Sequence, residues 1–421
     1  MRDPVYRRRP IEPNPAVFDS ARRINEFIVQ CEAFSNCYLL ETSAGNIQVN
    51  AGMGFEAPVI RHNFERFSER ALRYLILTQG HVDHVGGVGW LRRHHPDMQV
   101  IAQAGNPEHQ AYDARLATFR ASRSAFAFTQ KFSAAFEHYA AHGYSEYPEQ
   151  DAPEPDILVA NRHALTLGEL ELEIIAVPGA ETNDSLIVWL PQWRICLTGN
   201  LFGCSFGHFP NLVTIRGDRY RDALTVAAAV QTVLDLEPEV LLYGHHGPVE
   251  GAALIREELS VLRDAIHYVH DATVRGMNEG EDLPTLMANI ALPPELEVGE
   301  GYGKVSWSVR AIWENYAGWF KHRSTTELYA SPPGAVAGDL IELAGGAGAI
   351  IARAQEKLGQ GDAVAALHLL DVVFDGLGEA ASSAARDVAI SAHEALLRDS
   401  DNFWLSSWLR QQIALLRAAR G

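Results

Sequence analysis

Residues 77–87 read LTQGHVDHVGG and carry the strongest structural signal in the sequence. The apolar run at 74–77 is typical of a buried strand, and the glycine pair at the end of the stretch is typical of a tight turn. Between them lie His81, Asp83 and His84, whose nitrogen and oxygen donors suit zinc-like ions. The stretch therefore predicts a metal-binding turn at the end of a strand in a layered α/β fold.

Further polar residues follow other predicted strands. Glu181 comes after the run LELEIIAVPG, Asn200 after RICLTG, and the pair His245 and His246 after VLLYG. Because strand ends lie along one edge of a sheet, loops that leave this edge can bring their side chains into one cleft. We therefore expect these residues to join the turn at 79–84. Counting from the strand favours His245 as a ligand, whereas counting back from the following Gly-Pro favours His246, so both stay candidates.

Composition and charge exclude several classes of protein. Hydrophobic residues make up 47% and charged residues 21% of the 421 positions, which is typical of a globular chain long enough for two domains. The formal net charge of −18 disfavours binding to nucleic acid or to an anionic membrane surface, although a local cationic pocket could still hold a small anion. No stretch approaches the roughly 18 apolar residues of a membrane span.

The cysteines and the N-terminus indicate a cytoplasmic protein. Cys31, Cys37, Cys196 and Cys204 form no CxxC pair, and they are predicted to be buried thiols rather than disulfides. The basic stretch at 1–10 has no apolar run behind it, so we expect no signal peptide. A reducing cytoplasm is therefore the expected location.

The order of predicted elements divides the chain into an α/β part, 1–260, and an all-helical part, 261–421. Strand-like runs in the first part form two hairpins, which close near 43–45 and 191–192. The segment 108–147 is helical in composition and rich in Phe and Tyr. It is predicted either to pack on its own domain or to form a lid that lines an apolar substrate pocket.

These motifs together resemble the metallo-β-lactamase superfamily, whose signature is His-x-His-x-Asp-His followed by glycines. The resemblance is greatest to its alkylsulfatase branch and runs from about residue 35 to the end of the sequence. The stretch 178–181 (PGAE) is similar to that branch's Pro-Gly-Thr-Glu. Likewise, 210–224 (PNLVTIRGDRYRDAL) is similar to its Asn-Leu-x-Thr-Leu-Arg-Gly segment, and 302–320 (YGKVSWSVRAIWENYAGWF) is similar to a stretch of its dimerising helical domain.

The resemblance implies an α/β fold of the αββα metallo-β-lactamase type, followed by an all-α dimerisation domain. It also implies a site for two metal ions linked by a bridging acid, and two residues that meet the sulfate of an ester. The implied metal ligands are His81 and Glu181 for one ion, and Asp83, His84 and either His245 or His246 for the other, while Asn211 and Arg216 meet the sulfate.

The sequence departs from this pattern at two positions. Gln79 stands where the first imidazole is expected, and Asn200 stands where the bridging acid is expected, 200 − 181 = 19 residues after Glu181. A neutral amide is a poorer zinc ligand, and without the bridging charge the repulsion between two cations is less compensated. We therefore expect one tightly held divalent metal, zinc being the expected ion, with the other position weak or empty. Asp184 and His208 are weaker candidates to replace the lost donors.

A second interpretation gives the two amides a catalytic part. Gln79 and Asn200 can donate as well as accept hydrogen bonds. Beside Asp83, they could therefore hold the oxyanion of a substrate rather than a metal ion.

The sequence thus predicts a dimeric hydrolase in which a metal-activated water attacks the ester of an amphipathic or aromatic anion. Arg216 and Asn211 would orient the charged end of this small molecule, and the segment 108–147 would receive its apolar part. A carboxylic ester, a lactone or another bond is an alternative target in the same fold. A protein that binds a small ligand at a degenerate site, without catalysis, is the alternative from another class.

Overall fold

The computed structural model describes residues 13–145 and 147–419, and the chain forms two compact units that divide between Tyr316 and Ala317. The first unit is a sandwich of two mixed sheets with helices on both outer faces, and the second is all helical. The α/β class, the αββα sandwich and the helical region that follows are therefore confirmed. The basic stretch at 1–10, for which we expected no signal peptide, lies outside the described residues.

The first sheet has its strands in chain order, β1 to β7. Its first four strands pair antiparallel, and the pairs from β4 to β7 are parallel. The tight turn between β3 and β4 is the hairpin predicted near 43–45. The strands are β1 (Arg22–Arg23), β2 (Ile28–Cys31), β3 (Cys37–Thr42), β4 (Gly45–Val49), β5 (Leu72–Ile76), β6 (Gln99–Gln103) and β7 (Ile157–Val159).

The second sheet has the order β13-β12-β11-β10-β9-β8. Only β11 and β12 pair in parallel within it, and a helix connects these two strands. The hairpin predicted to turn at 191–192 is the β10–β11 pair. The strands are β8 (Arg162–Leu167), β9 (Leu170–Ala176), β10 (Leu186–Leu190), β11 (Ile195–Gly199), β12 (Val240–Tyr243) and β13 (Val249–Glu250).

Both faces of the central strands are apolar, because each face meets another layer. In β10, Leu186 and Val188 point between the two sheets and pack in the same core as Leu40 of β3. The alternate residues, Ile187 and Trp189, point outward into the core under the helices. A strand with two buried faces reads as a continuous apolar run rather than as an alternation of apolar and polar residues.

The helices of the first unit cover the outer faces of the sheets. The helix Ala223–Asp235 is capped at its N-terminus by Asp222, whose side chain accepts the backbone N–H of Thr225. The helices are α1 (Ala57–Glu65), α2 (Val82–Val85), α3 (Val88–His94), α4 (Asn106–Ala141), α5 (Ala223–Asp235), α6 (Ala252–Asn278), α7 (Leu283–Asn289) and α8 (Val305–Ala317), with 3-10 turns at Gly54–Glu56 and Pro294–Leu296.

The long helix α4 covers most of the aromatic segment predicted at 108–147, but it begins at Asn106 and ends at Ala141. Its C-terminal half packs on its own domain, because Phe128 and Phe132 lie against Phe34, and Phe132 also contacts Phe55. Its N-terminal end approaches the loops at the sheet edge, where Asn106 donates to Asp184 and Gln110 donates to Gly80 O. Of the two predicted roles, packing on its own domain therefore applies to the C-terminal half of α4.

The second unit is built from helices that pack on one another through small and branched side chains such as Ala354 and Leu370. Among the described residues, no single helix is both long and apolar enough to cross a membrane, and one pair of segments passes that test only jointly, across a bend of 101°. The helices are α9 (Ala337–Leu343), α10 (Ala347–Gly359), α11 (Ala363–Leu377), α12 (Ser383–Arg398) and α13 (Phe403–Ala418), with 3-10 turns at Thr325–Leu328, Pro333–Val336 and Gly378–Ala380.

The division between the units differs from the boundary predicted between 260 and 261. That boundary falls within α6, whose residues Leu259, Leu262 and Ile266 are buried in the core that also holds α5. The same core holds Val309 and Ile312 of α8, so the first compact unit extends to Tyr316. The four cysteines are buried free thiols, as predicted.

A fully buried carboxylate, Glu56, joins three loops of the first unit. Its Oε1 accepts the backbone N–H groups of Ala16, at 2.8 Å, and of Phe34, at 3.0 Å, and its Oε2 accepts that of Met53 at 2.9 Å. Burial raises the pKa of Glu56 to about 7, while the three N–H donors act in the opposite direction. The loops at 16, 34 and 53 therefore depend on one side chain.

We predict that Glu56→Ala lowers the free energy of unfolding by about 3 kcal/mol or more, because three buried N–H groups lose their acceptor. Denaturant unfolding of the purified variant measures the change. Glu65→Ala is the matched control, since Glu65 forms an exposed pair with Arg61 on α1. Equal midpoints for the two variants would show that Glu56 does not hold these loops.

Candidate active site

The loops that leave β5, β9, β11 and β12 meet at one edge of the sandwich, as the sequence predicted. The backbone N–H of Leu186 donates to Thr78 O at 2.8 Å and so ties the start of β10 to the end of β5. The N–H of Gly244 donates to Gly199 O at 2.9 Å, and this bond joins the loops after β12 and β11. The site is therefore held by backbone hydrogen bonds between loops as well as by its side chains.

The orientation of His84 is fixed by two hydroxyl groups. Its Nδ1 lies 3.1 Å from Thr78 Oγ1 and 3.2 Å from Ser35 Oγ. Thr78 Oγ1 donates to Asn50 Oδ1 at 2.9 Å, so it is free to accept the Nδ1–H of His84. This pattern assigns the proton of His84 to Nδ1 and turns the lone pair of Nε2 towards the cleft.

Asn200 lies against that lone pair. Its Nδ2 donates to His84 Nε2 at 3.1 Å, while its Oδ1 is buried without a hydrogen-bond partner in the described part of the chain. The approach is close, because a Cβ atom on Gly244 would lie 1.8 Å from Asn200 Oδ1. Glycine at 244 is therefore required for the loop after β12 to pass beside Asn200.

His245, rather than His246, places its ring in the cleft. His245 is buried, and the charges of Asp83 and His84 affect its pKa. Its Nδ1 lacks a hydrogen-bond partner among the described residues. His246 has a positive φ of 63°, and its ring Nε2 lies 3.4 Å from Ser205 Oγ. Of the two alternatives, the structure thus brings His245 to the turn.

Burial keeps the two cleft imidazoles neutral. It lowers the pKa of His84 and of His245 to about 3 in each case. Burial also raises the pKa of Asp83, and the nearby His245 lowers it. The Asp83 carboxylate lies 3.6 Å from His84 Nε2 and is partly exposed. Two imidazole donors and one carboxylate thus come from neighbouring loops.

Gln79 and His81 form a different arrangement. Gln79 Nε2 donates to His81 Nδ1 at 2.9 Å, and His81 Nε2 lies 3.4 Å from Asp218 Oδ2. The same Asp218 oxygen accepts Arg120 Nη2 at 2.9 Å. Burial raises the pKa of Asp218, but the hydrogen bond and charge of His81 together with Arg120 hold it below its ordinary value. Both ring nitrogens of His81 therefore have protein partners.

Glu181 forms a buried ion pair with Arg221. Glu181 Oε1 lies 2.9 Å from Arg221 Nη2, and both side chains are less than a tenth exposed. Arg221 also donates to the carbonyls of Glu181 and Asn211. Burial raises the pKa of Glu181 to about 7, against the opposing charges of Arg221 and Arg216. Glu181 is thus in the cleft wall with its charge already balanced.

Of the remaining predicted residues, some lie near the turn at 79–84 and others hold loops in place. The charge of Arg216 lowers the pKa of Asp83, which places Arg216 near the turn, and Asn211 is buried on the same loop. Asp184 accepts the N–H of Gly80 at 3.1 Å and Asn106 Nδ2 at 2.7 Å. His208 Nδ1 accepts the N–H of Gly301 at 3.1 Å. Asp184 and His208 are therefore engaged in holding loops.

Of the two metal positions that the sequence predicted, one keeps side chains of a suitable kind. Over residues 13–145 and 147–419, no three His, Cys, Asp or Glu side chains lie close enough together to hold a metal ion as they stand. Asp83 and His245 still supply suitable donors, and His84 Nε2 would join them once the Asn200 amide turned away from it. The unpartnered His245 Nδ1 and Asn200 Oδ1 are buried acceptors that a cation would satisfy. The other position does not fit, because His81 and Glu181 are bound to Gln79, Asp218 and Arg221.

A pocket of about 200 Å³ opens beside Glu181 and Asp218, and its lining residues do not include Asp83, His84, His245 or Arg216. Tyr112 of α4 forms part of its wall, and the Arg219 guanidinium lies 4.2 Å from the centre of the Tyr112 ring. Arg219 also pairs with Glu108, at 2.6 Å, on the exposed rim. The wall therefore combines an aromatic ring with charges that are already paired.

The sequence did not identify Asp218, Arg120 or Arg221 as site residues. Asp218 and Arg221 lie in the stretch 216–222 (RGDRYRD), in which basic and acidic residues alternate. Such a pattern could have indicated ion pairs, because a buried arginine requires a carboxylate partner. Arg120 lies 98 residues before Asp218 on a helix that is largely solvated at that point, so the sequence gave no comparable signal for it.

Comparisons with known proteins agree with the fold and with the helical domain. The family model for the Metallo-beta-lactamase superfamily matches residues 32–245, and the model for Alkyl sulfatase dimerisation matches residues 284–418. The stereoselective inverting sec-alkylsulfatase Pisa1 from Pseudomonas sp. has a similar structure, with a TM-score of 0.80 at 21% identity over 94% of this chain and 65% of that one.

Curated relatives are alkylsulfatases of greater length. A Linear primary-alkylsulfatase of Pseudomonas sp. is 26% identical over 338 residues, which are 77% of this chain and 63% of the relative. The Alkyl/aryl-sulfatase BDS1 of Saccharomyces cerevisiae is 26% identical over 310 residues, 70% of this chain and 47% of the relative. The chain thus spans less than two thirds of the length of either relative.

We predict that Arg221→Met destabilises the protein by about 3–5 kcal/mol, because it leaves the buried Glu181 carboxylate without its cation. Arg219→Met is the matched control, since the Arg219–Glu108 pair lies two residues away and both side chains are about half exposed. Denaturant unfolding compares the two variants. The double variant Arg221→Met/Glu181→Leu should recover part of the loss; equal losses for Arg221→Met and Arg219→Met would contradict a buried pair.

Proposed function

Because the chain belongs to the metallo-beta-lactamase superfamily and matches the alkyl sulfatase dimerisation family in its helical part, we propose that it is a homodimeric hydrolase of sulfate esters. The substrate class is an anionic ester with an apolar alkyl or aryl part. Support comes from the alkylsulfatase relatives and from the donor set Asp83, His84 and His245 at the sheet edge.

We also propose one divalent metal ion rather than two, with zinc as the expected ion. Asp83, His84 and His245 would hold it, since two imidazoles and a carboxylate are typical zinc donors. The Nδ1–H of His84 is already held by Thr78 and Ser35, as is usual for a metal-ligating histidine. When bound, such an ion would lower the pKa of a coordinated water and stabilise negative charge on the reacting ester.

Arg216 is proposed to attract and orient the charged end of the substrate. Its charge reaches Asp83 and Glu181, so it acts within the cleft despite the net charge of −18 on the whole chain. A guanidinium suits a tetrahedral anion, because its N–H groups form two parallel hydrogen bonds. Asn211, buried on the same loop, would contribute a neutral partner for the same group.

The amide of Asn200 is proposed to stabilise the transition state. It lies at the cleft with a donor group facing His84 and with Oδ1 unpartnered among the described residues. A rotation about its last side-chain bond exchanges donor and acceptor, so Asn200 can donate to an oxyanion or accept from a water. Gln79, which donates to His81, is assigned to holding that ring rather than to the substrate.

One observation favours a second candidate function, a ligand-binding protein without catalysis. Gln79 and Asn200 each donate an N–H to an imidazole nitrogen, of His81 and His84, and these bonds satisfy the two rings without a metal ion. A carboxylic ester or lactone remains the alternative bond within a hydrolase.

The hydrolase proposal predicts release of inorganic sulfate from a medium-chain alkyl sulfate. Asp83→Ala should lower kcat/KM by at least about 100-fold, because it removes a proposed metal ligand. Arg216→Ala should raise KM for the sulfate ester more than for a neutral carboxylic ester of the same chain length. An Asp83→Ala variant as active as the wild type on sulfate, phosphate and carboxylic esters would sink the proposal.

Metal analysis tests the single-ion proposal independently of turnover. Dialysed wild-type protein should retain about one equivalent of divalent metal per chain, and Asp83→Ala and His245→Ala should lose it. His246→Ala is the matched control and should retain the ion, because its ring lies by Ser205. Two equivalents that resist dialysis, or loss of metal in His246→Ala alone, would contradict this assignment.

A further inference from the structure

Two arginines of α4, one helical turn apart, hold the loop that carries Arg216. Arg123 donates from Nε to Arg216 O and from Nη2 to Ile215 O, each at 2.7 Å. Arg120 donates from Nη2 to Asp218 Oδ2 at 2.9 Å. The Arg216 loop, defined as residues 211–222, is thus bound on both sides of Gly217.

The loop itself turns sharply at this point. Gly217 has a φ of 93°, which L side chains rarely adopt, and its N–H donates to Thr214 O at 2.9 Å. The turn presents two successive carbonyls, those of Ile215 and Arg216, to one guanidinium. The planar fork of arginine suits this pair of acceptors, whereas the ammonium of lysine is a single point of charge.

Helix α4 is anchored at both ends, so its middle is a fixed support. Asn106 in its first turn donates to Asp184 Oδ2 at 2.7 Å, and Tyr139 near its end donates to Ala16 O at 2.8 Å. Its buried residues lie towards these two ends, whereas Arg123 is exposed and Arg120 is partly buried. The middle of α4 therefore approaches the active site through polar contacts rather than through a packed core.

The charges of the two arginines are committed to these contacts. Arg120 is shared between Asp218 and Asp113, and Arg123 binds backbone carbonyls and lies over the Phe119 ring. Asp218 in turn lies 3.4 Å from His81 Nε2. The same contacts therefore connect the Arg216 loop both to α4 and to the turn at 79–84.

We propose that Arg120 and Arg123 are positioning residues that set where Arg216 presents its charge to an anionic substrate. This inference rests on the proposed function, because it assumes that Arg216 binds the anion. Neither arginine touches the substrate; each acts through the Arg216 loop. Loss of the Arg123 contacts should weaken the binding of the anion and leave the chemistry of bound substrate in place.

The test compares Arg123→Ala and Arg123→Lys with the matched control Arg115→Ala. Arg115 lies on the same helix, and its side chain is 68% exposed, 4.0 Å from Glu108. Two readouts are used: the Kd of inorganic sulfate by titration calorimetry, and KM and kcat for a medium-chain alkyl sulfate. Denaturant unfolding checks that each variant is folded.

Arg123→Ala should raise the Kd of sulfate and the KM of the ester at least about fivefold with kcat little changed, since two charge-assisted hydrogen bonds are lost at an exposed position. Arg123→Lys should recover part of this loss, and Arg115→Ala should match the wild type. The inference is overturned if the wild type binds sulfate and Arg123→Ala behaves as Arg115→Ala, or if Arg123→Ala lowers kcat alone. A wild type that neither binds sulfate nor cleaves the ester overturns the proposed function, and this inference with it.

Discussion

Thr78 connects the two sheets and the active site, and most of the arrangement depends on its three polar groups. Its N–H and its hydroxyl both donate to Asn50 Oδ1, at 3.0 and 2.9 Å, while its carbonyl accepts the N–H of Leu186. Asn50 can meet it because it adopts a positive φ of 62°, a conformation in which Asn is enriched. The hydroxyl then fixes the ring of His84, so one residue links the strand ends to the chemistry.

The two amides that depart from the family pattern change the site in the same way. Gln79 and Asn200 each present an N–H to an imidazole nitrogen, where the family pattern has a metal ligand. Each amide satisfies the ring beside it but brings no negative charge, so the attraction that would hold a second cation is absent from these positions. On the His81 side, the bond from Gln79 is part of a continuous chain of contacts that runs through His81 and Asp218 to Arg120.

The arginines near the cleft have separate tasks. Arg221 balances the buried Glu181, and Arg120 balances Asp218. Arg123 donates its hydrogen bonds to backbone carbonyls of the loop that carries Arg216. In a chain with a net charge of −18, a local positive potential for an anion requires such an organised set of cations, because the average surface repels it.

The resemblance to a known family implied the sandwich. The sequence by itself determined both hairpins, most of the long helix α4 and the turn that carries His81, Asp83 and His84. These features follow from local periodicity and turn residues, which depend on neighbours in the chain. The tertiary structure alone placed the His246 ring beside Ser205, turned Gln79 onto His81, and brought Arg120 to Asp218 across 98 residues. It also places the division between the two compact units after Tyr316, whereas the sequence predicted a domain boundary after residue 260. The physical reason is that burial, hydrogen-bond partners and ion pairs are properties of packed loops and helices, and sequence spacing does not encode the distances between them.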